Sequence, residues 1–515
     1  MKLLSIAIPH HDVNFAFFDG AGVRYLKLER THQEKRFALA DLRQWKREAQ
    51  ALWGDEVDQA QDWAFSLDPG TLPPEVRRHL PGQALLELSA GKVEALPLPA
   101  PVCDHLGVPS GWLVSHHLLH ALSTWMLEER PADVRIVVDG VGDGRSWSVY
   151  RQERLVAFGD VRSAGSIGWG IRDAGKLLGV KATHYNDIAG KVMGLQSYGR
   201  VDAGFRDHLR AFGMDRLQEL WSPRQWEAWR GDALLASLSP LDWIASVHER
   251  TGELLVEFFQ RHASAEDVIS YTGGVAQNVL WNARLRSRFP HLVVPPHASD
   301  EGLSLGGLEW LRRRHGLPPL RWPQFPFAQA DTPPPGDPSP QTIDTVARWL
   351  AQGLVVGWYQ GRGEVGPRAL GHRSILMDPR LPDGRQRLNR VKRREAYRPF
   401  GASVLQEHFG DHFVGAADAF MLYACRVTGD PLPAVTHVDG SCRVQRVDRG
   451  QAAFHALLTR FHELTGCAVL ANTSLNLAGK PLAARPSHAA ELFETTLLDA
   501  LVIGDEVRRR PSAGA

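Results

Sequence analysis

The chain has 515 residues, which at roughly 100–200 residues per domain makes room for two to four domains and a full-sized core. Lys plus Arg total 59 against 58 Asp plus Glu, a formal net charge of +1, which argues against a general nucleic-acid binder. The four cysteines, Cys103, Cys425, Cys442 and Cys467, are scattered and form no C-x-x-C pair, which argues against a disulfide scaffold or a cysteine-based zinc site.

In chain order, the opening MKLLSIAIPHHD is too short in its apolar run for a signal peptide and predicts a first strand, Leu3–Ile8, paired with Phe15–Asp19. No run approaches the length of a membrane span, so no membrane association and a cytoplasmic location are expected. The proline-rich 94–109 stretch reads as a loop, and His117–Glu129 as a helix. Arg135–Val138 and Val268–Ser270 read as short β-branched strands, and Leu241–His262 as a long helix. Strands alternating with helices predict an α/β fold, although no internal repeat is visible. Between Leu317 and Gln341 stand nine prolines in 25 residues, a stiff extended connector. The expected domains are 1–322 and 341–515, joined by a linker over 323–340. Beyond it, Thr342–Gln352 reads as a helix, and Leu354–Tyr359, Ala468–Leu470 and Ala500–Ile503 as strands.

Four constellations carry chemistry. His116 and His120 lie four apart, on one face of a helix, the spacing two imidazoles need to share a metal ion. Asp139 in VVDGVGDG lies at a strand end, and Asp300 in PPHASDEGLSLGG is either a further ligand or a helix N-cap. The run YTGGVAQN puts Gly273, Gly274 and Asn278 in a strand-to-helix turn suited to a phosphate or nucleotide. Lys191 in GKVMGL offers a second glycine-flanked phosphate ligand. From Arg362 to Arg398 there are 11 Lys or Arg against 4 Asp or Glu, many beside Gly and Pro turns, which favours a small, highly charged anion over a solvated basic face. The run Asn472–Asn476 follows a predicted strand and reads as a turn.

In order, HHLLHA at 116–121, VVDGVGDG at 137–144, GKVMGL, TGGVAQN, GPRALGHRSILMDPR at 366–380, YRPFGASVL at 397–405, THVDGSCRVQRV at 436–447 and NTSLN at 472–476 resemble the O-carbamoyltransferase family of antibiotic biosynthesis and nodulation. The resemblance implies an actin-like, duplicated α/β first domain, similar to the tRNA threonylcarbamoyl transferase, and an α/β YrdC-like second domain. It implies that carbamoyl phosphate and ATP, with Mg, give carbamoyl-adenylate in the second domain. The carbamoyl group then passes to a hydroxyl of a small-molecule acceptor in the first. By the same resemblance His116, His120, Asp139 and Asp300 hold a divalent metal, Fe(II). Lys191, Gly273, Gly274 and Asn278 contact the adenylate, and Arg362, Arg368, Lys392, Arg398, Ser474 and Asn476 contact carbamoyl phosphate and the ATP phosphates.

The acceptor hydroxyl needs a base, for which His11 and Asp12, just past the first strand, are the candidates. Carbamoyl delivery to a protein thiol, as in hydrogenase maturation, is the competing enzymatic reading. It calls for paired C-x-x-C fingers and an acylphosphatase domain, which this sequence lacks. A non-catalytic actin-like nucleotide-binding module is the other alternative, and it fits poorly with an intact histidine and arginine set. Three departures from the family pattern fall in the first domain: Ala189 where Glu is usual, Leu195–Gly199 (LQSYG) for LAPYG, and Val13–Asn14 where small residues are usual.

Overall fold

A computed structural model describes residues 1–231, 238–320, 322–329 and 332–511; Arg321, Ala330 and Asp331 of the proline-rich connector lie outside the described residues. The chain divides into two compact units. The first comprises Met1–His32 and Arg36–Phe325, the second Gln33–Lys35 and Pro326–Ala515. No helix among the described residues is long and apolar enough to cross a membrane.

The first unit holds two mixed sheets. β1 (Leu3–Ile8), β2 (Asn14–Phe18), β3 (Val23–Lys27), β4 (Asp62–Leu67), β5 (Ala95–Pro97) and β6 (Trp112–Val114) assemble in the order β3-β2-β1-β4-β6-β5. β7 (Val134–Gly142), β8 (Arg145–Arg151), β9 (Arg154–Asp160), β10 (Ile269–Thr272) and β11 (Leu292–Val293) assemble as β11-β10-β7-β8-β9. The two share one path: an antiparallel three-strand meander whose first strand also pairs in parallel with the fourth, and the fourth in parallel with the next. The repetition lies in backbone topology and leaves no trace in residue identity, which is why the sequence shows no repeat. All six residues of β1 are buried, the pattern of a central strand covered on both faces.

The 94–109 segment is more ordered than a loop. It forms β5 and the helix Ala100–Leu106, whose Pro101 sits in the first turn, where the missing N–H costs nothing. The helix expected over 117–129 stops at Leu122, where the Ser123 N–H and hydroxyl both donate to His120 O, and one 3₁₀ turn follows at Trp125–Leu127. The helix Leu303–Arg314 docks tightly: a Cβ on Gly306 would fall 1.9 Å from Leu119 O, so only glycine lets this helix reach the histidine-bearing one. That approach brings the turn at Asp300 to His116 and His120.

The second unit has its own core around a nine-stranded sheet. Its strands are β12 (Phe327–Gln329) and β14 (Gly363–Glu364), which form a separate pair, and β13 (Val356–Tyr359), β15 (Arg373–Met377), β16 (Gly401–Leu405), β17 (Phe413–Val414), β18 (Ala424–Val427), β19 (Ser441–Val447), β20 (Val469–Ser474), β21 (Ala500–Ile503) and β22 (Glu506–Arg509). The nine run in the order β17-β18-β19-β16-β20-β15-β13-β21-β22, covered by the packed helices Pro340–Ala351 and Ala452–Thr465. Asn472–Ser474, expected in a turn, belongs to β20. The buried Asn472 amide donates to Ser403 Oγ at 2.9 Å and Ala369 O at 3.3 Å, which satisfies its N–H groups inside the sheet.

Candidate active site

In the first unit the structure brings His116, His120, Asp139 and Asp300 together, with one ligand atom from each lying within 4.8 Å of the others. The helix His116–Leu122 begins where Ser115 caps Leu118 N–H and Asp143 accepts the His116 N–H. Its two imidazoles meet at Nε2, 3.1 Å apart. Asp300 Oδ1 lies 3.5 Å from His116 Nε2 and 3.4 Å from His120 Nε2, and Asp139 Oδ2 lies 3.4 Å from His116 Nε2. Gly142 leaves room for the His116 ring, because a Cβ there would fall 2.2 Å from His116 Cδ2.

Burial alone would lower the His116 pKa, but the Asp300 and Asp139 carboxylates hold it well above its ordinary value. Burial likewise opposes ionisation of both acids. His116 nevertheless holds Asp300 well below the usual range and Asp139 at about 2. Once a cation displaces the His116 proton, two imidazole nitrogens and two carboxylate oxygens so placed are a donor set for a borderline divalent ion.

Next to this cluster, His11 Nδ1 donates to Asp12 Oδ2 across 2.8 Å and lies 3.9 Å from Asp300 Oδ2. Asp12, at φ 62°, is fully enclosed: Lys27 Nζ lies 3.1 Å from its Oδ1, and Arg36 bonds its Oδ2. Burial would raise its pKa, but Lys27 and Arg36 hold it well below the carboxylate range. Asp12 is therefore a fixed anion that orients His11, and the free face of the imidazole is Nε2, which accepts Asn186 Nδ2 at 2.7 Å. The His11 pKa is raised, with Asp12 and Asp300 outweighing burial. Lys27 also binds Glu29 at 3.0 Å and Glu301 at 2.6 Å, while Asn14, one of the departures noted above, donates to Asp12 O at 2.6 Å and Asp300 O at 2.9 Å. The unusual asparagine thus ties the His11–Asp12 turn to the Asp300 turn.

The glycine pair serves the same centre. The Gly274 N–H donates to Asp139 Oδ1 at 2.7 Å, and Gly273, at φ 93°, donates to Ala298 O at 2.7 Å. Asn278 caps the helix Val279–Arg286, its Oδ1 accepting Leu280 and Trp281 N–H at 3.2 Å, and its amide lies 3.1 Å from His248 Nε2. These bonds occupy the side chain expected to reach an adenylate. Lys191 is buried in the helix Ile188–Leu195 and donates to Lys181 O.

In the second unit, Lys392 Nζ is buried among Ser474 O at 2.5 Å, Ser474 Oγ at 3.1 Å, and Asn476 O and Oδ1, both at 2.6 Å. Burial first, then the like charges of Arg394, Arg398 and Lys35, push the Lys392 pKa well below its ordinary value. Burial with Arg398 and Arg443 does the same to Arg394, and burial with Arg398 brings Arg443 down to about 10. Facing this group, Glu395 lies 3.6 Å from Arg398. Positive charge is thus concentrated on and around one buried lysine. Arg394 and Arg443 were not singled out from sequence; Arg443 sits inside the SCRVQ run, where nothing in its spacing separates it from a strand residue. Arg362 is exposed and reaches Ala328 O at 3.5 Å. Arg368 is half-buried on the loop organised by Glu364, whose Oε1 accepts the N–H groups of Leu370, His372 and Arg373 at 2.9, 3.0 and 2.9 Å.

Residues 103–308 match the model of the carbamoyltransferase N-terminus and residues 347–510 that of the carbamoyltransferase C-terminus. The nodulation protein NolO of Bradyrhizobium diazoefficiens is 32% identical over 446 residues, 78% of this chain and 80% of that protein. The 3'-hydroxymethylcephem-O-carbamoyltransferase of Amycolatopsis lactamdurans is 34% identical over 334 residues, 62% of this chain and 64% of that protein, just under two thirds of its length. Among solved structures, T. kodakarensis HypF overlays with a TM-score of 0.40 at 14% identity, covering 62% of this chain and 48% of its own. With both halves of the family pattern matched in order, and NolO aligned over four fifths of its length, the chain belongs to the carbamoyltransferase family and is an enzyme of that class.

Proposed function

We propose that the protein is an ATP-dependent O-carbamoyltransferase working in two half-reactions, with an actin-like first domain (1–322), a linker (323–340) and a YrdC-like second domain (341–515). The repeated sheet path of the first unit supports the actin-like assignment. In the first half-reaction carbamoyl phosphate loses inorganic phosphate to water. The carbamate oxygen then attacks the α-phosphorus of ATP, and pyrophosphate leaves with its Mg. Lys392, Arg394, Arg398 and Arg443 would bind the phosphates, with Ser474 and Asn476 fixing the lysine and Arg362 and Arg368 reaching the same anions. The observation that carries this reading is the buried Lys392 ammonium held by Ser474 and Asn476, with the half-buried Arg394 and Arg398 near enough to act on it, a crowding of like charge that a polyanion would relieve.

In the second half-reaction the acceptor hydroxyl gives its proton to His11 Nε2, its oxygen bonds the carbamoyl carbon, and AMP leaves. Asp12 keeps the proton on Nδ1 and stabilises the imidazolium as it forms, the role a buried carboxylate plays behind a histidine base. His116, His120, Asp139 and Asp300 would hold a divalent cation, Fe(II) in this reading, which when bound would polarise the carbamoyl oxygen. Gly273 and Gly274 would keep Asp139 in register, and Lys191 and Asn278 would border the adenylate. The acceptor is a small molecule, as the name of the cephem enzyme says of that protein. The deciding experiment combines carbamoyl-phosphate-dependent exchange of labelled pyrophosphate into ATP with mass spectrometry of hydroxyl compounds for a gain of about 43 Da, one transferred carbamoyl group. Exchange without carbamoyl phosphate, or no exchange with it, overturns the reading.

A further inference from the structure

The stretch from Gly361 to Arg373 holds Arg362 and Arg368, and its glycines Gly361, Gly366 and Gly371 stand at φ 46°, 100° and 105°. A loop bent at three positive-φ points takes its shape from what is packed on it. Glu364 gathers one side, as described above. His372 closes the ends, its Nδ1 donating to Arg362 O across 2.7 Å. The closure is tight, since a Cβ on Gly361 would meet His372 Cε1 at 3.0 Å. Burial lowers the His372 pKa, so the ring is a neutral, flat imidazole.

The group that covers this ring comes from the proline-rich connector. The Phe327 ring lies on His372, with centroids 3.6 Å apart and planes 9° from parallel. Phe327 belongs to β12, which pairs antiparallel with β14 in a register that sets Phe327 opposite Glu364, and the Val365 N–H donates to Pro326 O at 2.7 Å. Arg362 reaches back to Ala328 O at 3.5 Å. The far end of the connector is moored in the same unit. Ser339 N–H and Oγ donate to Asp505 Oδ1 at 2.8 and 2.7 Å, and a Cβ on Gly504 would fall 2.9 Å from Pro335 Cβ. A segment that served only as a spacer would need none of these contacts.

We propose that Phe327 is a positioning residue for anion binding in the second unit. Its ring on His372, with the strand pairing beside it, keeps the two ends of the loop together and so holds Arg362 and Arg368 ready for phosphate oxygens. The connector is then a working part of the activation site. This inference rests on the phosphate-binding role proposed above for Arg362 and Arg368, and it adds a residue that touches no substrate.

Calorimetric titration of the full chain with inorganic pyrophosphate, run beside the pyrophosphate exchange assay, tests it. Phe327→Ala binds pyrophosphate about three- to tenfold more weakly, the size of one stacked ring pair, and raises KM for carbamoyl phosphate by a similar factor with a smaller change in kcat. Phe327→Tyr restores both. His372→Ala shows at least the same loss, and the double variant no further one, because the two rings make a single contact. Circular dichroism melts identify any variant that has lost its fold. If Phe327→Ala has, Phe327→Leu, which keeps the apolar bulk without the flat face, takes its place. Unchanged affinity in the folded variant, losses that add in the double variant, or no pyrophosphate binding by the wild type overturns the proposal. Pyrophosphate binding without exchange in the wild type sinks the two-step reaction instead, so the two failures are told apart.

Discussion

The backbone N–H of Gly274 donates to Oδ1 of Asp139 across 2.7 Å, so the glycine turn after β10 and the β7 carboxylate are tied together. That bond fixes the carboxylate plane and turns Oδ2 toward His116, 3.4 Å away. The same turn that the sequence suggests for a phosphate thus also sets a candidate metal ligand.

Substituting Gly274 by alanine puts a Cβ 3.0 Å from Asp139 Oδ1. The carboxylate must rotate, and Gly274→Ala should weaken divalent-metal binding about 10- to 100-fold, the usual effect of disturbing a group that orients a ligand. Isothermal titration with Fe(II) or Mn(II) under anaerobic conditions measures this, and undiminished affinity would contradict the arrangement.

His120→Ala should abolish carbamoyl transfer to an acceptor while leaving carbamoyl-phosphate-dependent pyrophosphate release largely intact. His120 belongs to the first unit, and the cation cluster to the second. Comparable losses in both half-reactions would count against that division of labour. Removing bound metal with a chelator should mimic the variant, with Fe(II) restoring transfer better than Mg(II).

Arg398→Ala should slow adenylate formation about 10- to 100-fold, the equivalent of one charge-assisted phosphate contact of about 1.5–3 kcal/mol. The same site predicts proton uptake. Burial and the neighbouring cations hold Lys392 well below its ordinary pKa, and a phosphate bound beside it would pull it back up. Between the depressed value and 10.5, binding therefore draws protons from solution. Titrations of inorganic phosphate in buffers of different ionisation enthalpy read this directly; proton release would be the wrong sign.

His297 sits fully buried with Nε2 on Ser123 O at 2.7 Å, and burial pushes its pKa down to about 4. The unfolded chain protonates this residue near pH 6.5, so between pH 6.5 and 4 it binds a proton that the folded chain refuses. Stability is complete above this window and falls by about 3 kcal/mol as pH drops through it. Urea denaturation at pH 7.0, 5.5 and 4.5 should show that loss in the wild type and a smaller one in His297→Asn. Parallel pH profiles would rule His297 out as its source.

The sequence made local chemistry legible more readily than long-range placement. The i, i+4 pair His116–His120 follows from helix periodicity, and Ser474, which ends β20, and Asn476, in the bend just past it, are near enough in sequence to reach the same Lys392. Asp139 and Asp300 could be proposed as ligands from their strand-end positions. Their approach to the histidines depends on Gly306 letting two helices nearly touch, which no local pattern announces. Asn278 carries the side chain of a nucleotide contact, but it also follows the strand-turn pattern of an N-cap, and the cap is the bond the structure contains. Asn186 gave no signal at all, because its role depends on a turn that lies 175 residues from His11.

The two sheets of the first unit repeat one path, and the four converging side chains come from matching places in both copies. His116 and His120 follow the last crossover of one copy, and Asp300 follows that of the other. Asp139 lies in the first strand of the second copy, where its ladder turns irregular after Val138, and His11 and Asp12 follow the first strand of the first. The cluster is therefore a clasp closed by two related jaws. Opening one jaw against the other would lengthen the distances between donors, so a cation held by all four would also pin the two copies together.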